Sequence, residues 1–86
     1  MKNYKINYYI DNEDMLNGAI PHSDISYDDY CEAEDEEQAI AMYMQYIFDN
    51  SDSRNIEIDD NAKTVTLFDD DGKPIEQYYG FTAEEE

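Results

Sequence analysis

The sequence has 86 residues, 41% of them hydrophobic, and its formal net charge at pH 7 is −18. This length allows one domain with one small core, and the single cysteine excludes an intramolecular disulfide. DNA, RNA and anionic lipid would repel so acidic a chain, and no apolar run approaches the ~20 residues that a membrane-spanning helix needs, so the composition argues against a direct nucleic-acid binder and against a membrane protein.

The first predicted element is a β-strand with one buried face. Apolar and aromatic side chains alternate with polar ones along the N-terminal segment, which is the period of an extended strand. The residues predicted to face the core are Tyr4, Ile6, Tyr8 and Ile10. The acidic run 11–14 ends this strand, and Asn17, Gly18 and Pro21 predict an irregular connection after it.

Residues 24–33 have two interpretations. As a strand, this segment would place a row of carboxylates on its solvent-facing side, with same-face neighbours ~6.6 Å apart. One face would then hold Ile25, Tyr27, Asp29, Cys31 and Ala33, and the other Asp24, Ser26, Asp28, Tyr30 and Glu32. The competing interpretation is an acidic loop. We favour a strand that becomes irregular near Asp28 and Asp29.

An amphipathic helix is predicted from about residue 36 to about residue 48. Asp35 can cap its N-terminus, and Gln38 three residues later can complete a capping box. Ile40, Tyr43, Met44 and Ile47 recur at the spacing of one helix face and should face the core. Met42 and Tyr46 lie off this stripe, one turn apart.

The C-terminal third predicts three consecutive antiparallel strands. Residues 54–60 and 64–69 alternate as the two arms of a hairpin. The Asp71-Gly72 pair is a strong turn signal, and it precedes a last strand at residues 74–81.

Together these elements predict an α+β fold, in which an antiparallel sheet of four to five strands has one amphipathic helix packed on one face. A single small domain is expected over residues 1–82. Residues 83–86 are expected to form a frayed acidic tail.

Neither the single histidine nor the single cysteine has companions suited to catalysis. His22 lies beside Pro21 in a predicted loop, where a catalytic base or metal ligand would need defined partners. Cys31 has no Cys or His at metal-ligand spacing, and its acidic neighbours should raise the pKa of its thiol. We therefore expect a protein that is not an enzyme and that holds no cofactor.

The run 69–72 has part of the composition of a calcium loop. Placing Gly72 at the sixth position of such a loop puts Leu67 and Tyr78 at the first and twelfth positions, where carboxylates belong. A hairpin turn is therefore the better interpretation, and no metal site is predicted.

The acidic residues are unevenly distributed along the chain. Between Lys5 and Arg54 the sequence runs 48 residues without a lysine or arginine and contains 13 aspartates and glutamates. Two simple explanations of this acidity are a surface that favours solubility and a proteome adapted to high salt. Ordinary soluble surfaces, however, intersperse acidic and basic residues. Tyr27 and Tyr30, interleaved with the acids, favour a binding surface, because arginine in a partner can pair with carboxylates while stacking on aromatic rings.

In size, charge and its acidic cluster, the chain resembles the small acidic inhibitor proteins that phages and mobile elements use against bacterial defence nucleases. These include nucleic-acid mimics that block restriction enzymes, and several anti-CRISPR proteins. The cluster consists of Asp24, Asp28, Asp29, Glu32, Glu34, Asp35, Glu36 and Glu37. The resemblance implies a protein of the bacterial cytoplasm that binds the basic nucleic-acid-binding surface of a nuclease or CRISPR effector and blocks DNA or RNA binding by charge mimicry.

We predict partner contacts at this cluster, with Tyr27 and Tyr30 as anchors. A second contact is predicted at the acidic turn Asp69, Asp70 and Asp71. The pattern is compatible with mimicry of DNA and with blocking of another site on the target. A cytoplasmic location also fits the lack of an apolar signal-peptide region at the N-terminus and the single cysteine.

The alternative function is a non-enzymatic protein-interaction or dimerisation module. Such a module would use the exposed tyrosines together with Met42 and Tyr46, which the helix period leaves outside the core-facing stripe. A homodimer through Met42 and Tyr46 is the form of this alternative that the sequence suggests.

Overall fold

The chain folds into one antiparallel sheet and one long helix. The computed structural model describes residues 1–22, 25–51 and 55–86, so Asp24 and Arg54 of the predicted strands lie outside the described residues. The elements are β1 (Lys2–Asn12), α1 (Glu13–Leu16), β2 (Ser26–Ala33), α2 (Glu36–Asp49), β3 (Asn55–Asp59), β4 (Thr64–Phe68) and β5 (Pro74–Glu85). The strand order is β2-β1-β5-β4-β3, with α2 packed on one face, which confirms the predicted α+β fold.

β1 is the strand around which the core is built. It pairs with β2 on one side and with β5 on the other. Tyr4 and Ile6 are buried as predicted, and Tyr8 is partly buried against the same core. The connection after β1 starts with the single turn α1, because the Asn12 side chain accepts a hydrogen bond from the Met15 N–H at 3.0 Å and caps it.

Gly80 forms a β-bulge in β5. The register of β1 and β5 shifts around Tyr8, which has two residues, Gly80 and Phe81, opposite it. The φ angle of Gly80 is 68°, in the left-handed region that glycine adopts without strain. The extra residue turns both Tyr78 and Phe81 toward Tyr8, with ring centroids 6.0 and 5.6 Å from it.

The end of β5 is paired with β1, and the prediction of a frayed tail at residues 83–86 was wrong. Residues 82–85 continue the β1 ladder, with Ala83 opposite Ile6. Phe81 and Ala83 alternate onto the core, so two apolar contacts and the β1 backbone offset the mutual repulsion of the terminal glutamates. The strand therefore extends to residue 85.

β2 is a continuous strand at one edge of the sheet. Its register with β1 has no shift, with Asp28 opposite Asn7 and Asp29 opposite Ile6. The strand interpretation of this segment is confirmed, whereas the irregularity expected near the two aspartates was wrong. β1 pairs with β2 without interruption, and the ring of Tyr27 stacks on that of Tyr8 in β1. The neighbouring carboxylates therefore do not break the strand pairing.

α2 confirms the predicted helix and its N-terminal cap. It runs Glu36–Asp49, and the Asp35 carboxylate accepts a hydrogen bond from the Gln38 N–H at 2.7 Å. The Gln38 amide oxygen in turn accepts from the Glu34 N–H at 2.6 Å, one residue earlier than a standard capping box. The buried helix residues are Ala39, Tyr43, Met44 and Ile47. The buried face of α2 is thus rotated slightly from the predicted one, because Ala39 is buried and Ile40 is only partly buried.

β3 and β4 form the predicted hairpin at the opposite edge of the sheet. The Asp59 carboxylate accepts hydrogen bonds from the Asn61 and Ala62 N–H groups at 2.9 and 3.0 Å, which fixes the turn. Val65 of β4 is fully buried and joins the hairpin to the core.

Candidate functional site

A cleft of about 340 Å³ lies between β2 and α2. Its lining residues are Asp29, Tyr30 and Cys31 from β2 and Met42, Tyr43 and Tyr46 from α2. In the part of the chain that the structure describes, β2 pairs only with β1, so its other edge is open beside the cleft. The short connection at residues 34–35 returns the chain as α2 across the face of β2, which brings these six residues to one cleft.

A line of hydrogen bonds leads from the core into the cleft. The Tyr43 hydroxyl lies 3.0 Å from Oδ2 of Asp29 and 3.2 Å from the Tyr8 hydroxyl. Because a phenol has one proton, Tyr43 donates to the carboxylate and accepts from Tyr8. Burial, followed by the hydrogen bonds to Tyr8 and Asp29, raises the pKa of Tyr43 above its ordinary value. Tyr43 therefore stays protonated and holds the Asp29 carboxylate in place.

A cluster of aromatic rings packs beneath the cleft and reaches it through Tyr43 and Tyr46. Tyr8 is the centre of this cluster, with the Tyr27 and Tyr43 rings at centroid distances of 5.9 and 5.4 Å. Tyr46 extends the cluster outward, since its ring lies 5.6 Å from that of Tyr43. The bulge at Gly80 supports the cluster from below by directing two further rings at Tyr8. A rim ring on such a cluster is positioned before any partner arrives.

Cys31 is a partly buried thiol in the wall of the cleft. Burial raises its pKa, and the charges of Asp29 and Glu32 raise it further. The acidic neighbours act in the direction predicted, although burial is the larger cause. The thiol is consequently protonated at neutral pH and is a poor nucleophile.

The predicted contact residues of β2 lie at one edge of the sheet but on its two faces. Tyr27 and Asp29 are on the face covered by α2, whereas Asp28, Tyr30 and Glu32 alternate onto the other face. The Lys5 ammonium lies 3.4 Å from Asp28, and this hydrogen bond raises the pKa of Lys5. The β2 edge of the sheet is therefore less uniformly acidic than the sequence implied. Asp24, another predicted contact residue, lies outside the described residues.

The acids at the start of α2 lie at the end of the sheet where β1 begins. Ala33, just before them, pairs with Lys2, and the side chains of residues 34–37 are exposed. Asp35 is occupied as the helix cap. The other three acids, Glu34, Glu36 and Glu37, extend the exposed carboxylates of β2 toward this end.

The acidic turn before β5 is far from these acids. Residues 69–71 lie at the end of the sheet where β1 finishes, because Asn12 pairs with Glu76 near the start of β5. With ~3.3 Å per strand residue, the length of β1 separates the two ends by roughly 30 Å. The Asp69 carboxylate accepts from the N–H groups of Asp71 and Lys73 at 3.0 and 2.8 Å. Asp69 thus builds the turn, which leaves Asp70 and Asp71 as its exposed carboxylates.

His22 and Asp11 form a second polar cluster, on the face of the sheet opposite α2. Asp11 is 1% exposed. Its Oδ2 contacts Nδ1 of His22, and its Oδ1 accepts a hydrogen bond from the Tyr79 hydroxyl at 3.1 Å. No local pattern indicates this cluster, because Asp11 belongs to an acidic run predicted to end the strand. Its evident role is to fix the loop after α1 onto the sheet.

The cleft residues outside the predicted acidic cluster and its tyrosine anchors are Cys31, Met42, Tyr43 and Tyr46. The helix period places Tyr43 in the core-facing stripe, where a phenol needs a hydrogen-bond partner; that requirement was the available signal. The same period predicts a separate interaction surface for Met42 and Tyr46. The structure places them in the same cleft as Asp29 and Tyr30, so the residues of the two predicted surfaces meet.

No helix among the described residues is both long enough and apolar enough to cross a membrane. A scan of protein-family models and searches of the curated proteins and of the solved structures found no match to this chain. The site is accordingly interpreted from its own geometry and charge.

Proposed function

We propose that this protein is a non-enzymatic acidic inhibitor, which binds the basic nucleic-acid-binding surface of a bacterial defence nuclease of the restriction or CRISPR type. Its carboxylates would occupy the positions of phosphates and block DNA or RNA binding. The observation that supports this most directly is the open edge of β2, where exposed acids continue into the first turn of α2 and a tyrosine-lined cleft opens beside them.

The spacing of the acids suits a surface that normally holds a polyanion. Asp28 and Glu32 lie on one face of β2, four residues and thus ~13 Å apart, and Glu36 and Glu37 follow in α2. Long lysine and arginine side chains can reach carboxylates at such intervals, as they reach successive phosphates. Association should be fast through electrostatic steering, and it should weaken as salt is added.

A pair of charge reversals tests the proposal. Asp28→Lys with Glu32→Lys changes the acidic edge. Glu57→Lys with Asp60→Lys makes the same change of net charge at the opposite edge, where both side chains are exposed. Wild-type protein at low salt should capture a basic nuclease from bacterial lysate, and competing DNA should release it. The first variant should lose this capture, and the second should retain it.

The functional readout is inhibition of DNA binding by the captured nuclease, measured by gel shift with increasing inhibitor. A wild-type protein that leaves the nuclease bound to DNA, or two double variants that inhibit equally, would contradict charge mimicry at this edge. Circular dichroism of both variants checks that the fold is intact.

The second candidate function is a docking or dimerisation module. Met42 and Tyr46 are 42% and 54% exposed and line the same cleft, so they offer adjoining apolar surface to a partner. Met42→Ala with Tyr46→Ala should then abolish association. Because two copies with a charge of −18 each repel one another, a dimer should strengthen as salt is added. Sedimentation at low and high salt distinguishes this from a mimic, whose binding weakens.

A further inference from the structure

We propose that the cleft binds an arginine side chain of the basic partner, with the guanidinium paired to the Asp29 carboxylate and stacked on the ring of Tyr46. The inference rests on the proposed function, and it names the side chain that the cleft selects. It separates two contributions of the inhibitor's surface: exposed acids that attract any cation, and one cleft that distinguishes arginine from lysine.

The Asp29 carboxylate has acceptor positions left for a ligand. Its Oδ1 accepts one hydrogen bond from the Tyr30 N–H at 2.8 Å, and its Oδ2 accepts one from the Tyr43 hydroxyl at 3.0 Å. An ionised carboxylate offers about four acceptor sites, so one remains on each oxygen. Two parallel N–H groups of a guanidinium match that arrangement. The two internal bonds also fix the carboxylate beforehand, which reduces the entropy lost on binding.

The rings beside Asp29 favour a planar cation. Tyr46 is exposed at the rim of the cleft, and its ring is supported by that of Tyr43 at a centroid distance of 5.6 Å. A guanidinium is flat and weakly hydrated, so it stacks on an aromatic face, whereas the compact ammonium of lysine is strongly hydrated and has no flat face to stack, so it gains less there. The flexible thioether of Met42 can adjust to the aliphatic part of the incoming side chain.

Other occupants fit less well. An anionic ligand would meet a chain with a net charge of −18. A purely apolar ligand would cover the Asp29 carboxylate without offering it a donor, which is costly. A second copy of this chain, paired edge to edge through β2, would bring Asp28, Asp29 and Glu32 against the same residues of its partner, where like charges destabilise the pairing. Charge complementarity thus favours a cationic side chain from a different protein.

The probe for this inference is a pair of peptides in which glycine alternates with arginine or with lysine, equal in length and charge. Isothermal titration at one ionic strength should show the wild-type protein binding the arginine peptide about three- to tenfold more tightly, as expected for one stacked and paired guanidinium. Tyr46→Ala and Asp29→Asn should each bring the affinity ratio close to one. Tyr46→Phe, which keeps the ring, should keep the ratio.

Glu57→Gln is the matched control for Asp29→Asn, since it removes one charge from an exposed position at the opposite edge. It should weaken both peptides equally and leave the ratio unchanged. Amide chemical-shift changes caused by the arginine peptide should concentrate at Asp29, Tyr30 and Met42. If Asp29→Asn alters the thermal unfolding midpoint, Tyr46→Ala decides alone, because that ring is exposed.

Equal affinities of the two peptides for the wild-type protein, or an unchanged ratio in Tyr46→Ala, would overturn the inference. These outcomes are distinct from failure of the proposed function. Nuclease capture that survives with no arginine preference would leave the inhibitor proposal standing and remove the cleft from it. Arginine preference without any effect on nuclease–DNA binding would support the cleft as an arginine site and contradict the inhibitor proposal.

Discussion

Single hydroxyl groups connect the core of this protein to its surface. Tyr43 has its ring in the core and its hydroxyl on the cleft carboxylate of Asp29, and Tyr79 makes the corresponding bond to Asp11 on the other face of the sheet. In both cases a phenol donates to one carboxylate oxygen, and an apolar residue in its place would leave that oxygen without this donor. The orientation of each acid therefore depends on a tyrosine of a different element.

Alkaline pH should destabilise the fold through Tyr43 and Tyr78. Burial is the main cause that raises the pKa of each phenol above its ordinary value of 10.0, with hydrogen bonds to Tyr8 and Asp29, and to Glu76, adding to it. Above that pH the unfolded chain loses these protons while the folded protein keeps them. The stability is thus complete below about pH 10 and falls as pH rises beyond it, by at most ~1.4 kcal/mol per pH unit and group. Solvent screening makes the loss smaller at Tyr78, which is only partly buried.

Urea unfolding between neutral pH and about pH 11 measures this loss. The double variant Tyr43→Phe with Tyr78→Phe should lose less free energy of unfolding over the same interval, because it lacks both titrating groups. An equal loss in the variant and the wild type would show that other groups cause the alkaline effect.

Removing His22 should weaken the fold from the opposite face. Asp11 is buried and bonds to His22 and Tyr79, so His22→Ala leaves the carboxylate with one partner fewer. Because water can enter where the exposed imidazole was, the expected loss is about 1 kcal/mol, at the low end for an unsatisfied buried group. In an Asp11→Asn background the same change should cost less. Equal costs in the two backgrounds, measured by urea unfolding, would mean that the contact does not contribute.

At the scale of elements, the bulge in β5 decides how the sheet meets the aromatic cluster. Without the extra residue, strict alternation would put Tyr78 and Phe81 on opposite faces. With it, both rings reach Tyr8. The ring packing beneath the cleft therefore depends on one glycine that does not line the cleft itself.

Gly80→Ala should destabilise the protein more than Gly72→Ala does. Both glycines have positive φ angles, 68° and 82°, so each alanine meets the same kind of backbone strain, of order 1 kcal/mol. A β-carbon at Gly80 would in addition lie 2.9 Å from Cδ2 of Tyr9, whereas one at Gly72 would have nothing within 4 Å. Thermal unfolding of the two variants gives the comparison, and a larger loss in Gly72→Ala would contradict the bulge as described.

The elements with a clear local period are predictable from the sequence, and those that depend on a distant partner are not. The alternation that predicts β1 depends only on neighbouring residues, and so do the cap and the apolar face that predict α2. The pairing of residues 82–85, by contrast, requires β1, some 80 positions earlier in the chain. A tail of glutamates has no local reason to be extended, which is why its composition predicts fraying.

The candidate site divides in the same way. Asp29 and Tyr30 are identifiable from their place in the acidic cluster, and Met42 and Tyr46 from their place outside the apolar face of the helix. Their meeting in one cleft follows from the packing of α2 across β2, which no local pattern encodes. The buried state of Asp11 was hidden for the same reason, since its partners come from a loop and from β5.

At the scale of the whole molecule, repulsion among acids is the main electrostatic force. The principal dimensions are 41 × 27 × 21 Å, so most of the charge of −18 lies within a few screening lengths of the rest. Lysine forms three ion pairs among the described residues, all partly exposed, at Lys2, Lys5 and Lys73. Such exposed pairs stabilise the fold little, so repulsion outweighs attraction.

Added salt should therefore stabilise the folded protein. Screening weakens the repulsion more than it weakens the three exposed ion pairs, so the urea midpoint at neutral pH should rise with sodium chloride. The Glu57→Lys and Asp60→Lys double variant, with a smaller net charge, should show a smaller rise. A midpoint that falls with salt would mean that attractive pairs dominate. The proposed partner binding by charge mimicry should have the opposite salt dependence, so the two effects are separable in one set of buffers.

The pairing of β1 with the end of β5 also has a consequence for how the chain can be rewired. The N–H of Glu86 donates to the carbonyl of Asn3 at 2.9 Å, so the start of β1 lies beside the end of β5. A short linker could join them, and new ends could be opened in the turn at residues 60–63, on the edge farthest from β2. Such a circular permutant would leave the cleft untouched and move any attached dye or surface anchor from beside β1 to the β3 edge of the sheet, away from β2.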